Sequence, residues 1–267
     1  MGSVKNKVIW ITGASSGIGE ALTYELAKMG AKLILSARRQ DELERVRKAC
    51  PLGAKEFTRI LPLDLAQSDS LEQKTREAVD FFGHIDYMVH NGGISQRSLV
   101  KDTKLEVDRK LFEVNFFGTI AITKYLLPYM LDLKSGHFVV VSSMVGKFAT
   151  PLRSGYSASK HALHGFFDAL RAENNDDGIK VTMVCPGFIK TNVSVNALVG
   201  TGEKQGTMDD AQANGISAET CARKMRIAME KEKAEIYIAG TREIFGLYVS
   251  RFFPSLLRKL IGRMKVT

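Results

Sequence analysis

Tyr156 and Lys160 stand four residues apart in GYSASKHAL (155–163), a stretch of small residues and helix formers. On a helix that spacing puts both side chains on one face, about one turn apart. A free phenol titrates near ~10 and is too weakly ionised at neutral pH to act as a base. An ammonium beside it favours the phenolate, so the pair would be ready to trade a proton with an alcohol or carbonyl oxygen. The same residue types at the same spacing occur on many solvated helices, so the surrounding elements decide between the two readings.

Those elements alternate. Apolar, β-branched runs VIWIT (8–12), KLILSA (32–37), RILPL (59–63), IDYMVH (85–90), HFVVVSS (137–143), VTMVC (181–185) and EIYIA (235–239) are separated by helix-length segments. A parallel return between strands needs a crossover, and strands buried on both faces read as continuous apolar runs. The pattern predicts an α/β fold: a Rossmann-type doubly wound parallel sheet of about seven strands with helices on both faces. Its ligand would lie beyond the carboxyl ends of the strands, at the switch point beside the first. With 267 residues and 45% hydrophobic content, one domain over 1–267 is expected. The Gly-rich, polar stretch 191–215 breaks the rhythm after the sixth strand, where it would serve as a substrate lid rather than a plain surface loop.

The turn after the first run reads TGASSGIGEAL, with Gly13, Gly17 and Gly19. Such a turn lets backbone approach a pyrophosphate, and the helix that follows offers unpaired N–H groups and its positive dipole end. The second run ends LSARRQ, with Arg38 and Arg39 and no acidic residue before Asp41. A carboxylate there would bind a ribose 2′-hydroxyl, whereas arginine takes a 2′-phosphate, so NADP(H) is preferred and NAD(H) is the alternative. Two arginines opening a solvated helix would be the ordinary explanation, but cations at a helix N-terminus are mildly unfavourable.

The formal charge of +9 is concentrated at one end: 244–267 holds five basic residues, Arg251, Arg258, Lys259, Arg263 and Lys265, and no acidic one. No helix-turn-helix or aromatic-rich RNA motif accompanies it, so nucleic acid is not an expected partner. Cys50, Cys185 and Cys221 form neither a disulfide framework nor a metal-ligand pattern, which fits a reducing, cytoplasmic setting and no metal. MGSVKNKVIW shows no signal-peptide core, and Asn6 stands where myristoylation would want Ser or Thr. In PSLLRKLIGRMKV, Leu256, Leu257, Leu260, Ile261 and Met264 fall at helical spacing behind Pro254. A basic amphipathic helix of this kind would lie on an anionic membrane surface or dock on a sister subunit.

Taken in order, TGASSGIG (12–19), Asp64 in LDL, NGG (91–93), Asn115 in VNFFGT, the pair Ser142–Ser143, YSASK (156–160) and PGFIKT (186–191) resemble the short-chain dehydrogenase/reductase family over nearly the whole chain. SSMVGKFATPL and the tail RFFPSLLRKLI resemble its hydroxysteroid-dehydrogenase-like branch. The resemblance implies a hydride exchange between a nicotinamide coenzyme and a small-molecule carbonyl or alcohol. Tyr156 would be the proton donor or acceptor, Lys160 its cation and a ribose ligand, and Ser143 rather than Ser142 the group on the substrate oxygen. Asn115, through its backbone, would hold a water joining Lys160 to solvent, or its side chain would simply cap buried backbone.

The same resemblance assigns Gly13, Ser15, Ser16, Gly17, Ile18 and Gly19 to the coenzyme turn, with Asp64 and Leu65 beside adenine. Asn91, Gly92 and Gly93 would line the coenzyme, and Pro186, Gly187, Ile189 and Thr191 would hold its carboxamide and pyrophosphate. It also implies a homodimer or homotetramer. The family's Asn-Asn-Ala-Gly is here His90-Asn91-Gly92-Gly93, and His90, ending an interior strand, is expected to be a core residue. A coenzyme-binding sensor or scaffold acting through its tail is the alternative class, but it would have no need of Tyr156.

Overall fold

The computed structural model describes residues 3–262. Along the chain run β1 (Val8–Thr12), α1 (Gly17–Lys28), β2 (Lys32–Ser36), α2 (Gln40–Ala49), β3 (Thr58–Ile60), α3 (Ser68–Asp80), β4 (Tyr87–His90) and α4 (Leu105–Phe112). Then come α5 (Gly118–Asp132), β5 (Gly136–Val141), α6 (Ser154–Glu173), β6 (Ile179–Pro186), β7 (Ile189–Lys190), α7 (Asp210–Ala213) and β8 (Ile216–Ser217). The chain closes with α8 (Ala218–Glu230), β9 (Glu235–Ile238), α9 (Thr241–Phe252) and α10 (Pro254–Ile261).

Seven strands form one all-parallel sheet in the order β3-β2-β1-β4-β5-β6-β9, the doubly wound arrangement read from the seven apolar runs. Side chains alternate faces along each strand. Ile9, Ile11, Leu33, Leu35 and Val89 therefore pack beneath α1, α2 and α8, while Val8, Trp10, Ile34, Met88 and Phe138 pack beneath α3, α5 and α6. Trp10 is fully buried and its indole N–H donates to Ser36 Oγ at 2.8 Å, so its one polar atom is satisfied. The third strand is shorter than its apolar run: beyond Ile60, only the Leu61 and Leu63 N–H groups bond to β2 and the residue after it, at 2.9 and 3.1 Å.

Strand order reverses between β1 and β4, opening a crevice at their carboxyl ends. The stretch 191–215 leaves from β7 and returns through α7 to β8, and these two short strands pair in parallel at its base. Leu198 within it is hydrogen-bonded to the segment after β4 (Leu198 N–H to Ser95 O, Arg97 N–H to Leu198 O, both 2.8 Å). The excursion therefore lies over the crevice. Among the described residues no helix is long and apolar enough to cross a membrane. Arg263, Met264 and Lys265, the end of the expected tail helix, lie outside the described residues.

Candidate active site

Tyr156 and Lys160 occupy one face of α6, as their spacing requires, with the Lys160 ammonium 5.8 Å from the centroid of the Tyr156 ring. Small neighbours allow this burial: Ser157 and Ser159 are themselves buried, and Gly155 lies against the Asp108 carboxylate and Leu111 of α4. Lys160 is 4% exposed and its ammonium donates to the Val141 carbonyl at 2.8 Å, at the open end of β5. Burial pulls its pKa down to about 8. Burial pushes the Tyr156 phenol up, while the Ser143 hydroxyl and the Arg97 and Arg153 guanidiniums pull it back.

Ser143 follows β5 in extended backbone and caps a short 3-10 turn, its hydroxyl accepting from Val145 N–H at 3.3 Å. Ser142 is committed elsewhere: its hydroxyl pairs with His164 Nε2 at 3.0 Å and donates to the Lys160 carbonyl at 3.3 Å. Asn115 sits in a π-helical turn, Glu113–Phe117, between α4 and α5. Its side chain is fully buried, accepting from Ile94 N–H at 2.8 Å and donating to Ile94 O and Ser159 Oγ at 3.0 Å. The side chain thus clamps the segment after β4 to α6. His90 lies in the core with Nε2 on Thr123 Oγ1 at 2.8 Å and its pKa lowered by burial to about 3.

The glycine turn is packed to the limit. Gly13 and Gly17 have φ of +65° and +58°, which favour glycine, and a β-carbon on Gly13 would meet Asn91 Nδ2 at 2.9 Å. Asn91 donates from Nδ2 to the carbonyls of Thr12 and Gly13 at 3.2 and 3.1 Å, and Thr12 Oγ1 accepts the Asn91 and Gly92 N–H groups at 3.2 and 3.1 Å. The end of β4 is thereby stapled to the turn after β1. The departure at Gly92 has a local explanation: a β-carbon there would come 2.6 Å from Leu65 Cδ1, so Leu65 fills the space an alanine would need.

A cleft of about 1340 Å³ runs from this turn to the 191–215 segment, larger than the roughly 300–1,000 Å³ of an ordinary small-ligand pocket. Arg38, Arg39 and Asp64 line one end, Ser143, Tyr156 and Lys160 the middle, and Val193, Val195 and Leu198 of the 191–215 segment the other. Ser15, Ser16, Ile18, Leu65, Asn91, Gly92, Gly93, Pro186, Gly187, Ile189 and Thr191 also line it, as do Gly13 and Gly17. Two expected residues do not. Gly19 is buried on α1, where a β-carbon would collide with the Gly13 carbonyl, so it serves helix-to-turn packing, and the Asn115 side chain is taken up by its hydrogen bonds to Ile94 and Ser159 behind Gly93.

A short chain dehydrogenase family model matches residues 7–199. The chain is 44% identical to human "Dehydrogenase/reductase SDR family member 7" over 253 residues, covering 93% of this chain and 74% of that protein. It is 41% identical to the Drosophila melanogaster "Dehydrogenase/reductase SDR family protein 7-like" over 263 residues, covering 97% and 81%. This chain belongs to the short-chain dehydrogenase/reductase family. A short-chain dehydrogenase from Streptomyces avermitilis has the same fold, with a TM-score of 0.81 at 27% identity and 96% of each chain covered. A Burkholderia phymatum short chain dehydrogenase/reductase, solved in complex with NAD, superposes with a TM-score of 0.84 over 96% of each chain; at 20% identity it shows the fold alone.

Short-chain dehydrogenases/reductases are oxidoreductases that use nicotinamide dinucleotides on small-molecule substrates. The glycine turn, too tight for a β-carbon at Gly13, and the length of the cleft fit such a coenzyme. Four residues that sequence reasoning missed buttress the site of this short-chain dehydrogenase/reductase. Gln96 Oε1 accepts the Tyr156 N–H at 3.2 Å near the start of α6. Glu243 accepts from Phe188 N–H at 2.9 Å and Gly240 N–H at 2.6 Å, tying α9 to the turn after β6. Arg97 and Asp209 form a buried ion pair at 2.7 Å that ties the segment after β4 to the 191–215 segment. Among the described residues no group of three His, Cys, Asp or Glu is gathered as a metal ion would need.

Proposed function

We propose that this chain is an NADP(H)-dependent oxidoreductase that moves hydride between the nicotinamide and a carbonyl or secondary alcohol carbon, with Tyr156 as general acid and base. One observation carries the reading: Tyr156, Lys160 and Ser143 share a single cleft with the glycine turn. The coenzyme, when bound, supplies or takes up the hydride. In reduction Tyr156 gives its hydroxyl proton to the substrate oxygen, and in oxidation it removes the alcohol proton. Ser143 hydrogen-bonds the same oxygen as its charge develops. Lys160, one turn away, stabilises the phenolate and holds the nicotinamide ribose, and Asn115 fixes the segment against which both stand. Arg38 and Arg39, exposed at the carboxyl end of β2, favour a 2′-phosphate over NAD(H).

The substrate end of the cleft is lined by Ile94, Met144, Phe148, Val193 and Leu198, which favours a carbonyl compound with a largely apolar body, and Arg97 and Arg153 line the cleft as well. The whole of 1–267 would act as one short-chain dehydrogenase/reductase domain, with 191–215 as the lid and 244–267 as the basic tail, in a cytoplasmic setting and as a homodimer or homotetramer. On the tail, Phe245, Tyr248, Phe252, Phe253, Leu256 and Leu260 are exposed among Arg251, Arg258 and Lys259. Pairing two such faces would set like charges together, so an anionic membrane surface is the partner this face fits better.

The test is a screen of ketones, aldehydes and steroids for loss of NADPH absorbance. Tyr156→Phe should abolish turnover and leave coenzyme affinity intact. Turnover surviving that change would remove the role given to Tyr156, and tight coenzyme binding without turnover across the screen would favour a silent sensor.

A further inference from the structure

Beneath the lid, two arginines share one carboxylate. Asp209 Oδ2 lies 2.7 Å from Arg97 Nη2 and 3.7 Å from Arg153 Nη2, all three side chains being at most 5% exposed. Its other oxygen, Oδ1, accepts from Gln205 Nε2 at 2.7 Å. Arg97 also donates to Ser95 Oγ at 2.8 Å and the Gln96 carbonyl at 2.7 Å, and the Arg153 guanidinium stacks 5.7 Å from the Phe188 ring. The backbone holds this arrangement rigidly, because the 95–98 segment bonds to Leu198 of the lid on one side and to Leu152 on the other. Arg153 precedes Tyr156 by three residues, and both arginines line the cleft with it.

We propose that Arg97, Arg153 and Asp209 act as a positioning cluster that sets the charge felt by the Tyr156 hydroxyl, the lid carboxylate balancing how much guanidinium field reaches it. This rests on the acid–base role proposed for Tyr156. The other groups facing the phenol are Lys160 on its own helix and Ser143 after β5; from α4, Val107 and Leu111 pack on the ring, and Asp108 reaches the helix at Gly155. Lys160 directs its ammonium to the Val141 carbonyl, which leaves the guanidiniums as a second source of positive field for the phenolate. The dependence runs both ways in the electrostatics: Arg153 and Arg97 lower the phenol's pKa, and ionised Tyr156 raises that of Arg153.

The experiment titrates the purified apoprotein by the ultraviolet absorbance of phenolate, taking as the Tyr156 signal the part lost in Tyr156→Phe. Asp209→Asn should move that midpoint down by about half to one pH unit, and Arg153→Gln should move it up by a similar amount. Arg153→Lys, which keeps the charge, should leave it in place. A cluster that merely packed the lid would lower activity in all three variants and move no midpoint. Should one charge-changing variant fail to fold, the other together with Arg153→Lys decides. Shifts of the same sign, no shift, or a phenol protonated to the alkaline limit of the fold in both the parent and Asp209→Asn would overturn the proposal. Because the readout uses no substrate, its failure is distinguishable from retained turnover in Tyr156→Phe, which would instead remove the acid–base role.

Discussion

The Lys160 ammonium faces the Tyr156 ring at 5.8 Å while spending a hydrogen bond on the Val141 carbonyl at 2.8 Å. The cation is thus held beside the phenol by the end of β5, not left to find it. Holding it there costs the fold something, because a buried ammonium loses its hydration.

That cost makes Lys160→Met a test of stability as well as function. A fall from the ordinary 10.5 to about 8 corresponds to at most about 3 kcal/mol. The penalty is full below pH 8, where Lys160 is charged in both folded and unfolded chains. Between 8 and 10.5 the unfolded chain binds the proton more tightly, so the parent gains stability on the Met variant as pH rises. Lys160→Met should therefore melt at or above the parent temperature at pH 7, with the gap closing towards pH 10, and lose turnover. A variant that melts well below the parent at pH 7 would show that the ammonium is a net stabiliser.

Coenzyme choice hangs on Arg38 and Arg39 at the mouth of the cleft. Losing one charge-assisted contact to a phosphate costs about 1.5–3 kcal/mol, roughly ten- to a hundredfold in affinity. Arg38→Asp should weaken NADPH binding by that factor and leave NADH unchanged or improved, read by calorimetric titration. Equal affinity of the parent for NADPH and NADH would defeat the arginine argument.

Gly19 does not line the cleft but is packed beneath it, against the Gly13 carbonyl and Asn91 Nδ2. Gly19→Ala must push α1 away from the turn, and overpacking of this kind costs about 1–3 kcal/mol. A lowered melting temperature together with weaker NADPH binding is expected. Gly53→Ala, at a φ of +86° with open space around it, should lose some stability to backbone strain alone and keep coenzyme affinity.

Exposed Phe252, the last residue of α9, and Phe253 immediately precede α10. If the tail lies on anionic lipid, the full chain should float with phosphatidylserine-containing vesicles but not with purely zwitterionic ones, and less in high salt. Changing both phenylalanines to serine should weaken the association about tenfold or more. A dimer mass in solution that the same double change halves, without vesicle binding, would assign the face to a sister subunit.

Much of this molecule was legible because its signals are local. The strands read as apolar runs since both faces of a parallel sheet are buried, and TGASSGIG and YSASK carry their geometry within a single turn or helix face. The π-turn around Asn115 was not legible, because it breaks helical period by one residue without any change in composition. Nor was the Arg97–Asp209 pair, whose partners lie 112 residues apart, or the tie between Glu243 and Phe188 across 55. Sequence by itself determined the order of the elements and the placing of Tyr156 and Lys160 on one helix face, since those follow from apolar runs and from helical spacing. Only the tertiary structure decided which groups surround the phenol and which glycine stays behind the wall, because a side-chain hydrogen bond between distant segments leaves no period in the chain to read.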